Sequence, residues 1–270
     1  MRVLIFGDIY GRLGRKAFLK EFRKLSQKYS PDFSVVNIEN ITSWRGPVTE
    51  HADLIESQWV DVMTSGDHIF DNAPNIHAAL TSDTSILIRP ANFYEPVGNS
   101  LPGKGYVIVK KWEKRLLVIQ LLGEVFMSHK VHNPFLKVQE ILDQIPPESY
   151  DAVVLDFHRE TTAELYGMAH FLDGKVSLVY GTHTHIQTND AHILPHGTWI
   201  LADVGMNGPF NSVIGAEYQS VEKRFLSGIQ RWKIEQQLKG PYIINALVAD
   251  IDEKTKQCIS IENISYTWNL

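Results

Sequence analysis

Short apolar runs alternate with amphipathic segments in the first part of the chain. The first run, Val3 to Phe6, ends at Gly7-Asp8, and the segment from Leu13 to Tyr29 then places apolar residues at helical spacing among charged ones. A second apolar run, Phe33 to Ile38, follows directly after Pro31-Asp32. Continuous runs of this kind are typical of strands that are buried on both faces of a sheet. The pattern therefore predicts a β-α-β order and an α/β fold.

The same criteria predict the remaining elements, although the strict β-α-β order is lost after a glycine-broken loop at 102–105. The strands on either side of 110–115 are predicted to form a hairpin. No internal repeat, low-complexity tract or linker interrupts the pattern, so we predict a single domain over residues 1–270. The predicted strands lie at 60–66, 85–89, 106–109, 116–122, 152–157, 176–181, 198–203, 242–251 and 257–266, and the predicted helices at 50–58, 134–145 and 161–171.

The composition narrows the class of protein. At 270 residues, of which 44% are hydrophobic, the chain is long enough for a sizeable core. The net charge of −5 and the isoelectric point near 6.1 give no basic footprint of the kind that duplex-binding proteins carry. Cys258 is the only cysteine, and no apolar run has the length of a signal peptide or a membrane span. We therefore expect a cytoplasmic protein without a membrane partner.

Residues of the types that bind metals follow several of the predicted strands. Each has an ordinary explanation when it is taken alone, as a helix cap, an ion pair or a turn residue. Together they are harder to dismiss, because the carboxyl ends of parallel strands converge on one crevice of a sheet, where ligands bind. In chain order these residues are Asp8, Glu39 and Asn40, Asp67 and His68, His158, and finally His183 and His185.

This set of side chains indicates a metal centre with more than one ion. Carboxylate, amide and imidazole ligands suit Mn, Fe or Zn better than Ca or Mg, and the set contains no thiolate. The candidate groups outnumber the ligands that one ion uses, so the sequence predicts two divalent transition-metal ions, with Fe or Mn favoured over Zn. Paired ions of this kind clamp the attacking and leaving oxygens during phosphoester hydrolysis.

The order of these motifs resembles that of a known family. The chain is similar to the YmdB-like branch of the calcineurin-like metallophosphoesterases in Gly7-Asp8, Asn37-Ile-Glu39-Asn40, Gly66-Asp67-His68, Phe157-His158 and Gly181-Thr-His183-Thr-His185. The likeness covers nearly the whole chain. It implies an α/β fold of the four-layer α/β/β/α sandwich type, a dinuclear metal centre, and phosphodiesterase activity in a family whose substrates include cyclic nucleotides.

The resemblance also implies a role for each candidate residue. His68 matches the histidine that faces the scissile phosphate and protonates the leaving oxygen or steadies the transition state. Tyr10 stands where the wider superfamily has a histidine, which the YmdB-like branch also lacks. The implied metal ligands are Glu39 as the bridge between the ions, Asp8, Asn40 and His185 for one ion, and Asp67, His158 and His183 for the other.

Three positions depart from the family pattern. Asp67 stands where the family has an asparagine, so it keeps a metal-binding oxygen but lacks an amide donor for the phosphate and adds a negative charge. Ile38 replaces a glycine, and Leu122 stands where a glutamine is expected before Gly123. These departures bear on the activity of the site more than on the fold.

Two residue groups near these motifs keep more than one interpretation. The Trp44-Arg45 loop contacts a base in one interpretation and only covers the site in the other. The histidines away from the strand ends, His129 among them, are predicted to be surface or packing residues, and His132-Asn133 is left open as a border of the site.

The sequence thus predicts a metallophosphoesterase that hydrolyses a phosphodiester, either of a 2',3'- or 3',5'-cyclic nucleotide or of a short RNA end. One alternative is a weakly hydrolytic regulatory protein that binds metal or nucleotide, and Asp67 favours it. Another is a phosphomonoesterase or 5'-nucleotidase, because the metal ligands alone do not fix the substrate. The expected partner is the small phosphodiester substrate, with RNA and self-association left open.

Overall fold

Two β-sheets lie face to face, and helices cover the outer face of each. The computed structural model of the chain describes residues 1–95, 100–229 and 232–269. None of the helices in these ranges is long and apolar enough to cross a membrane. The helices are α1 (Gly11–Tyr29), α2 (Thr49–Glu56), α3 (Ala73–Thr81), α4 (Pro134–Gln144), α5 (Thr162–Phe171) and α6 (Tyr218–Ser227), with a 3-10 turn at Pro147–Ser149. The strands are β1 (Arg2–Phe6), β2 (Phe33–Asn37), β3 (Val62–Thr64), β4 (Tyr106–Lys111), β5 (Lys114–Leu122), β6 (Ala152–His158), β7 (Leu178–Thr182), β8 (His192–Ile193), β9 (Trp199–Leu201), β10 (Gly208–Pro209), β11 (Tyr242–Ile251) and β12 (Cys258–Trp268).

Both sheets are mixed, with a parallel centre and antiparallel neighbours. The first has the strand order β10-β11-β1-β2-β3, and β12 pairs with β11. Its strands β1, β2 and β3 are parallel, whereas β11 is antiparallel to β1, β10 and β12. The second has the order β4-β5-β6-β7-β9-β8, in which β5, β6, β7 and β9 are parallel and both edge strands are antiparallel.

Side chains along β1 alternate between two cores, as the period of a strand requires. Val3 and Ile5 face the second sheet and belong to the core between the two sheets. Leu4 and Phe6 face outward and pack in a core that includes residues of α1. A further core lies between the second sheet and helices α4 and α5. The chain is therefore a four-layer α/β/β/α sandwich, which confirms the predicted fold class.

Most of the predicted strands and helices are present, but the prediction of a strand at 85–89 is wrong. Leu87 and Ile88 make only single bridges to other segments. The Ser85 hydroxyl accepts the N–H of Leu87 at 3.1 Å, so a side chain competes with the backbone for this donor. Pro90 then follows without an N–H to extend a ladder.

The sequence pattern does not predict α3, α6, β8 or β10. The two strands are too short to show a period, since each has two residues. The two helices bury few apolar side chains, namely Ile76 and Leu80 on α3 and Val221 on α6. The single domain over residues 1–270 stays a prediction.

Buried polar side chains join the two sheets near the carboxyl ends of their strands. Asp156 lies on β6, and its Oδ1 accepts a hydrogen bond from Thr182 Oγ1 at 2.7 Å. Its Oδ2 accepts one from Thr64 Oγ1 at 2.5 Å and one from Asn37 Nδ2 at 3.2 Å. All four side chains are fully buried. Because Thr64 and Asn37 belong to the first sheet, Asp156 ties the ends of β6 and β7 to those of β2 and β3.

Gln120 on β5 makes a second tie between the sheets. Its Oε1 accepts a hydrogen bond from the Ser65 N–H at 3.0 Å, and its Nε2 donates to the Ser65 carbonyl. Ser65 directly precedes Gly66-Asp67 in the chain. The second sheet therefore fixes the segment that leads from β3 to Asp67.

Replacing Asp156 by alanine should lower the stability of the fold. The change leaves the buried donors of Thr64, Thr182 and Asn37 without their acceptor, and each unsatisfied buried donor costs roughly 1–3 kcal/mol. Urea unfolding of Asp156→Ala should show this loss. Asp143→Ala, which removes an exposed carboxylate on α4, should change the free energy of unfolding by no more than about 0.5 kcal/mol. Equal midpoints for the two variants would show that Asp156 does not hold the sheets together.

Candidate metal centre

The predicted ligands come together at one edge of the sandwich. The carboxyl ends of parallel strands lead to them, as the sequence predicts, but these strands belong to two sheets, and the crevice lies where the carboxyl ends of both sheets meet. Side chains of this set are buried, except for those of His68 and His183, which are partly exposed. The first sheet leads to Asp8 after β1, Glu39 and Asn40 after β2, and Asp67 and His68 after β3, and the second leads to His158 at the end of β6 and to His183 and His185 after β7.

A compact cluster forms from two carboxylates and two imidazoles. One ligand atom from each of Glu39, Asp67, His158 and His183 lies within 4.8 Å of the others. His158 Nε2 is 2.9 Å from Glu39 Oε2, 3.3 Å from Asp67 Oδ1 and 3.1 Å from His183 Nδ1. A Cβ at Gly66 would lie 2.2 Å from Glu39 Oε1, so only glycine fits between the chain and the cluster.

A second set of predicted ligands adjoins this cluster through Glu39. Asn40 Nδ2 lies 3.1 Å from Glu39 Oε2 and 3.0 Å from His185 Nε2. Asp8 Oδ2 accepts the backbone N–H of His183 at 3.3 Å. Glu39 therefore contacts a member of each set, His158 and Asn40, and its role as a bridge between two ions stays a prediction.

Each of the three histidines has one ring nitrogen fixed by a neighbour outside the cluster, which leaves the other nitrogen directed at the predicted ligands. Metal-binding histidines are oriented in this way in general. The fixing contacts are His158 Nδ1 to Thr182 Oγ1 at 2.8 Å, His183 Nε2 to Glu160 Oε2 at 3.1 Å, and His185 Nδ1 to the Ile214 carbonyl at 2.9 Å.

Among the residues that the structure describes, Asp8 Oδ1 and Asn40 Oδ1 are buried in the crevice without a hydrogen-bond donor. A buried acceptor without a partner is costly in a fold unless something else satisfies it. Divalent cations do so, and oxygen and imidazole donors of this kind suit Mn, Fe or Zn. The donor set therefore fits metal ions.

The packed charges shift one another's pKa in opposite directions. Burial raises the pKa of Glu39 to about 8, and burial together with the neighbouring His158 lowers the pKa of His183 to about 3. Burial opposes protonation of His158, but the charge of Glu39 and hydrogen bonds with Asp67 and Glu39 raise its pKa well above the usual value. Burial alone would raise the pKa of Asp67, yet hydrogen bonds with His158 and Glu39 hold it below the usual range. Such opposed shifts are typical of functional sites.

His68 borders the cluster without joining it. Its backbone N–H donates to Glu39 Oε1 at 3.1 Å, while its ring Nδ1 is fixed by Asp71 Oδ2 at 2.7 Å. The side chain lines the same cavity as Glu39 and His183. Burial lowers the pKa of His68, but the charges of Glu39 and Asp67 outweigh it and raise the pKa. Nε2 is therefore the ring nitrogen left for a ligand in the cavity.

The loop between His183 and His185 is strained and needs support. Both residues have a positive φ, 106° for His183 and 68° for His185, which is costly for residues other than glycine. Asp203 holds the loop in place. Its Oδ2 accepts hydrogen bonds from the N–H of Thr184 at 3.0 Å and from the hydroxyl of Thr184 at 2.8 Å. With this backbone conformation, the two imidazoles are directed into the crevice.

The departures from the family pattern lie in different places. Ile38 and Leu122 are fully buried in the apolar core on the outer side of the first sheet, and neither lines the cavity over the cluster. Asp67 lies within the cluster, and His129 Nδ1 is 3.7 Å from its Oδ2. His129 is partly exposed and packs edge to face on Phe93 at a centroid distance of 5.8 Å, which confirms the prediction that it is a surface or packing residue. Asn133 caps α4 by accepting the N–H groups of Phe135 and Leu136.

Asp71 follows His68 by three residues, so the sequence places it beside the candidate ligands without giving it a role. Sequence reasoning missed the other residues that position the ligands. Thr182 directly precedes His183, and that proximity was the available signal. Glu160 follows His158 by two residues and gave no signal apart from its charge. Asp156 interrupts an apolar run two residues before His158, on the same face of β6.

Residues 4–264 match the model of a family described as YmdB-like protein. The chain is 37% identical over 267 residues to the 2',3'-cyclic-nucleotide 2'-phosphodiesterase of Bacillus subtilis (strain 168), with 98% of this chain and 96% of that protein covered. A solved structure from Mycoplasma pneumoniae, described as a novel phosphatase, has a TM-score of 0.89 at 29% identity and covers 99% of this chain and 93% of its own. A hypothetical protein from Thermus thermophilus has a TM-score of 0.87 at 30% identity and covers 99% of both chains. Because the family match spans nearly the whole chain and the likeness to the Bacillus subtilis protein extends over nearly all of both, this chain belongs to the YmdB-like family.

Proposed function

We propose that this protein is a metal-dependent phosphodiesterase that opens the 2',3'-cyclic phosphate of a ribonucleotide. The observation that carries the proposal is the buried cluster of Glu39, Asp67, His158 and His183, whose ligand atoms lie within 4.8 Å of one another. The name of the Bacillus subtilis relative, 2',3'-cyclic-nucleotide 2'-phosphodiesterase, supports this choice of substrate.

The donor set is large enough for two divalent ions. When bound, such ions neutralise charge on the phosphate oxygens and lower the pKa of an attacking water. Carboxylate, amide and imidazole donors favour Fe or Mn, with Zn as the alternative, and the single thiol, Cys258, lies on β12 away from these residues. The proposed ligands are Glu39 between the ions, Asp8, Asn40 and His185 for one, and Asp67, His158 and His183 for the other.

In the proposed reaction, a water oxygen forms a bond to phosphorus and the bond from phosphorus to O2' breaks. The O2' atom takes a proton from His68 Nε2, and the proton that the water loses passes to solvent. His68 suits this role because Asp71 fixes Nδ1 and leaves Nε2 to the cavity. The product is a 3'-phosphate with a free 2'-hydroxyl.

We also propose that the protein works in the cytoplasm. Cys258 is a free and buried thiol, as is usual in compartments where thiols stay reduced. Self-association stays a prediction of the sequence.

The proposal predicts that protein loaded with Mn²⁺ hydrolyses 2',3'-cyclic AMP to adenosine 3'-phosphate. Elemental analysis should find about two ions per chain. Glu39→Ala should lose ions from both positions and lose activity with them, because Glu39 adjoins both ligand sets. Glu50→Ala, an exposed change in the first turn of α2, is the matched control and should keep both ions.

Other outcomes would favour the alternatives. Rapid hydrolysis of p-nitrophenyl phosphate without cleavage of any diester would indicate a phosphomonoesterase. Nucleotide binding at full metal load without hydrolysis of either substrate would indicate a regulatory protein. A load that stays below one ion after reconstitution would contradict the dinuclear centre.

Replacing His68 by alanine should separate chemistry from metal binding. If His68 protonates the leaving oxygen, kcat for 2',3'-cyclic AMP should fall by about 10²- to 10⁴-fold with little change in metal content. Loss of metal together with activity would instead make His68 a ligand. His77→Ala, an exposed change on α3, should leave kcat and metal content as they are.

Replacing Asp67 by asparagine should raise diesterase activity at saturating metal. The change keeps one oxygen for the ion, removes a negative charge beside the substrate and supplies an amide donor to the phosphate oxygens. A charge-assisted hydrogen bond of this kind supports an increase of roughly tenfold in kcat/KM. If Asp67→Asn is no faster than the parent, the carboxylate does not limit the enzyme, and His129 beside Asp67 becomes the first candidate for the missing donor.

A further inference from the structure

Two cavities meet at the side chains of Trp44 and His68. The cavity over the metal cluster has a volume of about 230 Å³ and is also bordered by Glu39 and His183. A second cavity of about 680 Å³ shares Trp44 and His68 with it. Binding sites for organic ligands usually measure roughly 300–1,000 Å³. The cavity over the cluster is therefore too small for a whole nucleotide, whereas the second one has room for a nucleoside and more.

The second cavity, here called the Trp44 cavity, is aromatic and cationic. Its lining includes two indoles, Trp44 and Trp232, and three cations, Arg45, Arg224 and Lys233. One carboxylate, Glu235, also lines it and pairs with Lys233 at 2.8 Å. The chain as a whole has a net charge of −5, whereas the charged side chains that line this cavity include more cations than anions. A cationic wall beside a phosphate site attracts a further anionic group.

Trp44 is held in position rather than free at the surface. Its ring packs edge to face with that of Tyr10 at a centroid distance of 5.0 Å, and Tyr10 is buried beneath it. Gly46, two residues on, has a φ of 71°, and a Cβ there would lie 2.0 Å from the His68 carbonyl oxygen. The loop that carries Trp44 therefore packs directly on the segment of His68. A stacking surface of this kind is already formed before a ligand arrives.

We infer that the Trp44 cavity binds the last nucleoside of an RNA chain, together with the phosphate on its 5' side, when that chain ends in a 2',3'-cyclic phosphate. The inference rests on the proposed function. A cyclic phosphate over the cluster leaves the base and the 5' carbon to extend past Trp44 and His68. The indole stacks on the base, and the guanidinium groups of Arg45 and Arg224 bind the 5' phosphate.

The chemistry of the cavity favours an RNA end over a cyclic mononucleotide and over DNA. A cyclic mononucleoside phosphate has a base for Trp44 but no second phosphate for Arg45 and Arg224. DNA lacks the 2'-oxygen that the cyclic phosphate requires. An RNA end supplies both the base and the second phosphate.

The experiment compares 2',3'-cyclic AMP with a tri-adenylate that ends in a 2',3'-cyclic phosphate, both with the Mn²⁺-loaded full chain. We expect kcat/KM to be about tenfold or more higher for the tri-adenylate at low salt. Between about 50 and 200 mM salt this advantage should shrink by roughly 2- to 3-fold for each phosphate that is bound. Arg224→Ala should lower the ratio of the two kcat/KM values, whereas Lys223→Ala, an exposed neighbour on α6, should leave the ratio unchanged.

Trp44 is tested by the affinity for product, which needs no turnover. Trp44→Ala should weaken the binding of adenosine 3'-phosphate by roughly 5- to 150-fold relative to inorganic phosphate, and Trp44→Phe should restore most of it. Trp112→Ala, a change at an exposed indole between β4 and β5, is the matched control. Elemental analysis of each variant checks that the metal centre is intact.

The outcomes keep the two proposals apart. If neither cyclic phosphate is hydrolysed, the proposed function fails. The inference is then decided by two affinities. Tighter binding of the 3'-phosphorylated tri-adenylate than of adenosine 3'-phosphate supports it, and equal affinities contradict it. If the mononucleotide is cleaved but the tri-adenylate has no advantage, and neither salt nor Arg224→Ala changes the ratio, the inference is wrong. Unchanged product binding in Trp44→Ala would remove the indole from the site.

Discussion

The geometry of the candidate metal centre depends on the hydrogen bonds of Asp156. A carboxylate buried between two sheets is tolerated only when donors surround it, and here Thr64, Asn37 and Thr182 provide them. These donors come from both sheets, so the bonds fix the strand ends relative to one another. Thr182 in turn orients His158. The position of a ligand on one sheet is thus set by a residue that also holds the other.

The crevice concentrates groups that would repel or desolvate one another elsewhere. Asp8, Glu39 and Asp67 lie close together away from water, and the loop of His183 and His185 adopts a strained backbone. Most folds avoid such arrangements, because each costs free energy that the rest of the structure must offset. A cation that satisfies the buried oxygens removes much of this cost. The arrangement is therefore one that metal binding stabilises, as preorganised sites generally are.

The candidate metal ligands follow strand ends, whereas the side chains around them stand on loops. The candidate ligands follow strands whose ends are tied together by the hydrogen bonds of Asp156 and Gln120. The groups beside them, such as Trp44 and Arg45, stand on a loop and can differ without disturbing the metal centre. The same division explains how one fold supports many substrates. In the proposed enzyme, the surroundings of the candidate metal centre therefore determine the specificity.

The sequence by itself determined which strands end in metal-type ligands, because an apolar run and the polar residue after it form a local pattern. It also determined the four-layer fold and the family, through motifs whose order is read along the chain. Only the tertiary structure decided which sheet leads to which candidate ligand and that Asp156 binds Asn37 and Thr64, which lie 119 and 92 residues away. Contacts at such separations leave no period in the sequence. In the sequence, a carboxylate such as Asp156 only interrupts an apolar run. Its role becomes visible when the donors of the other sheet are seen to contact it.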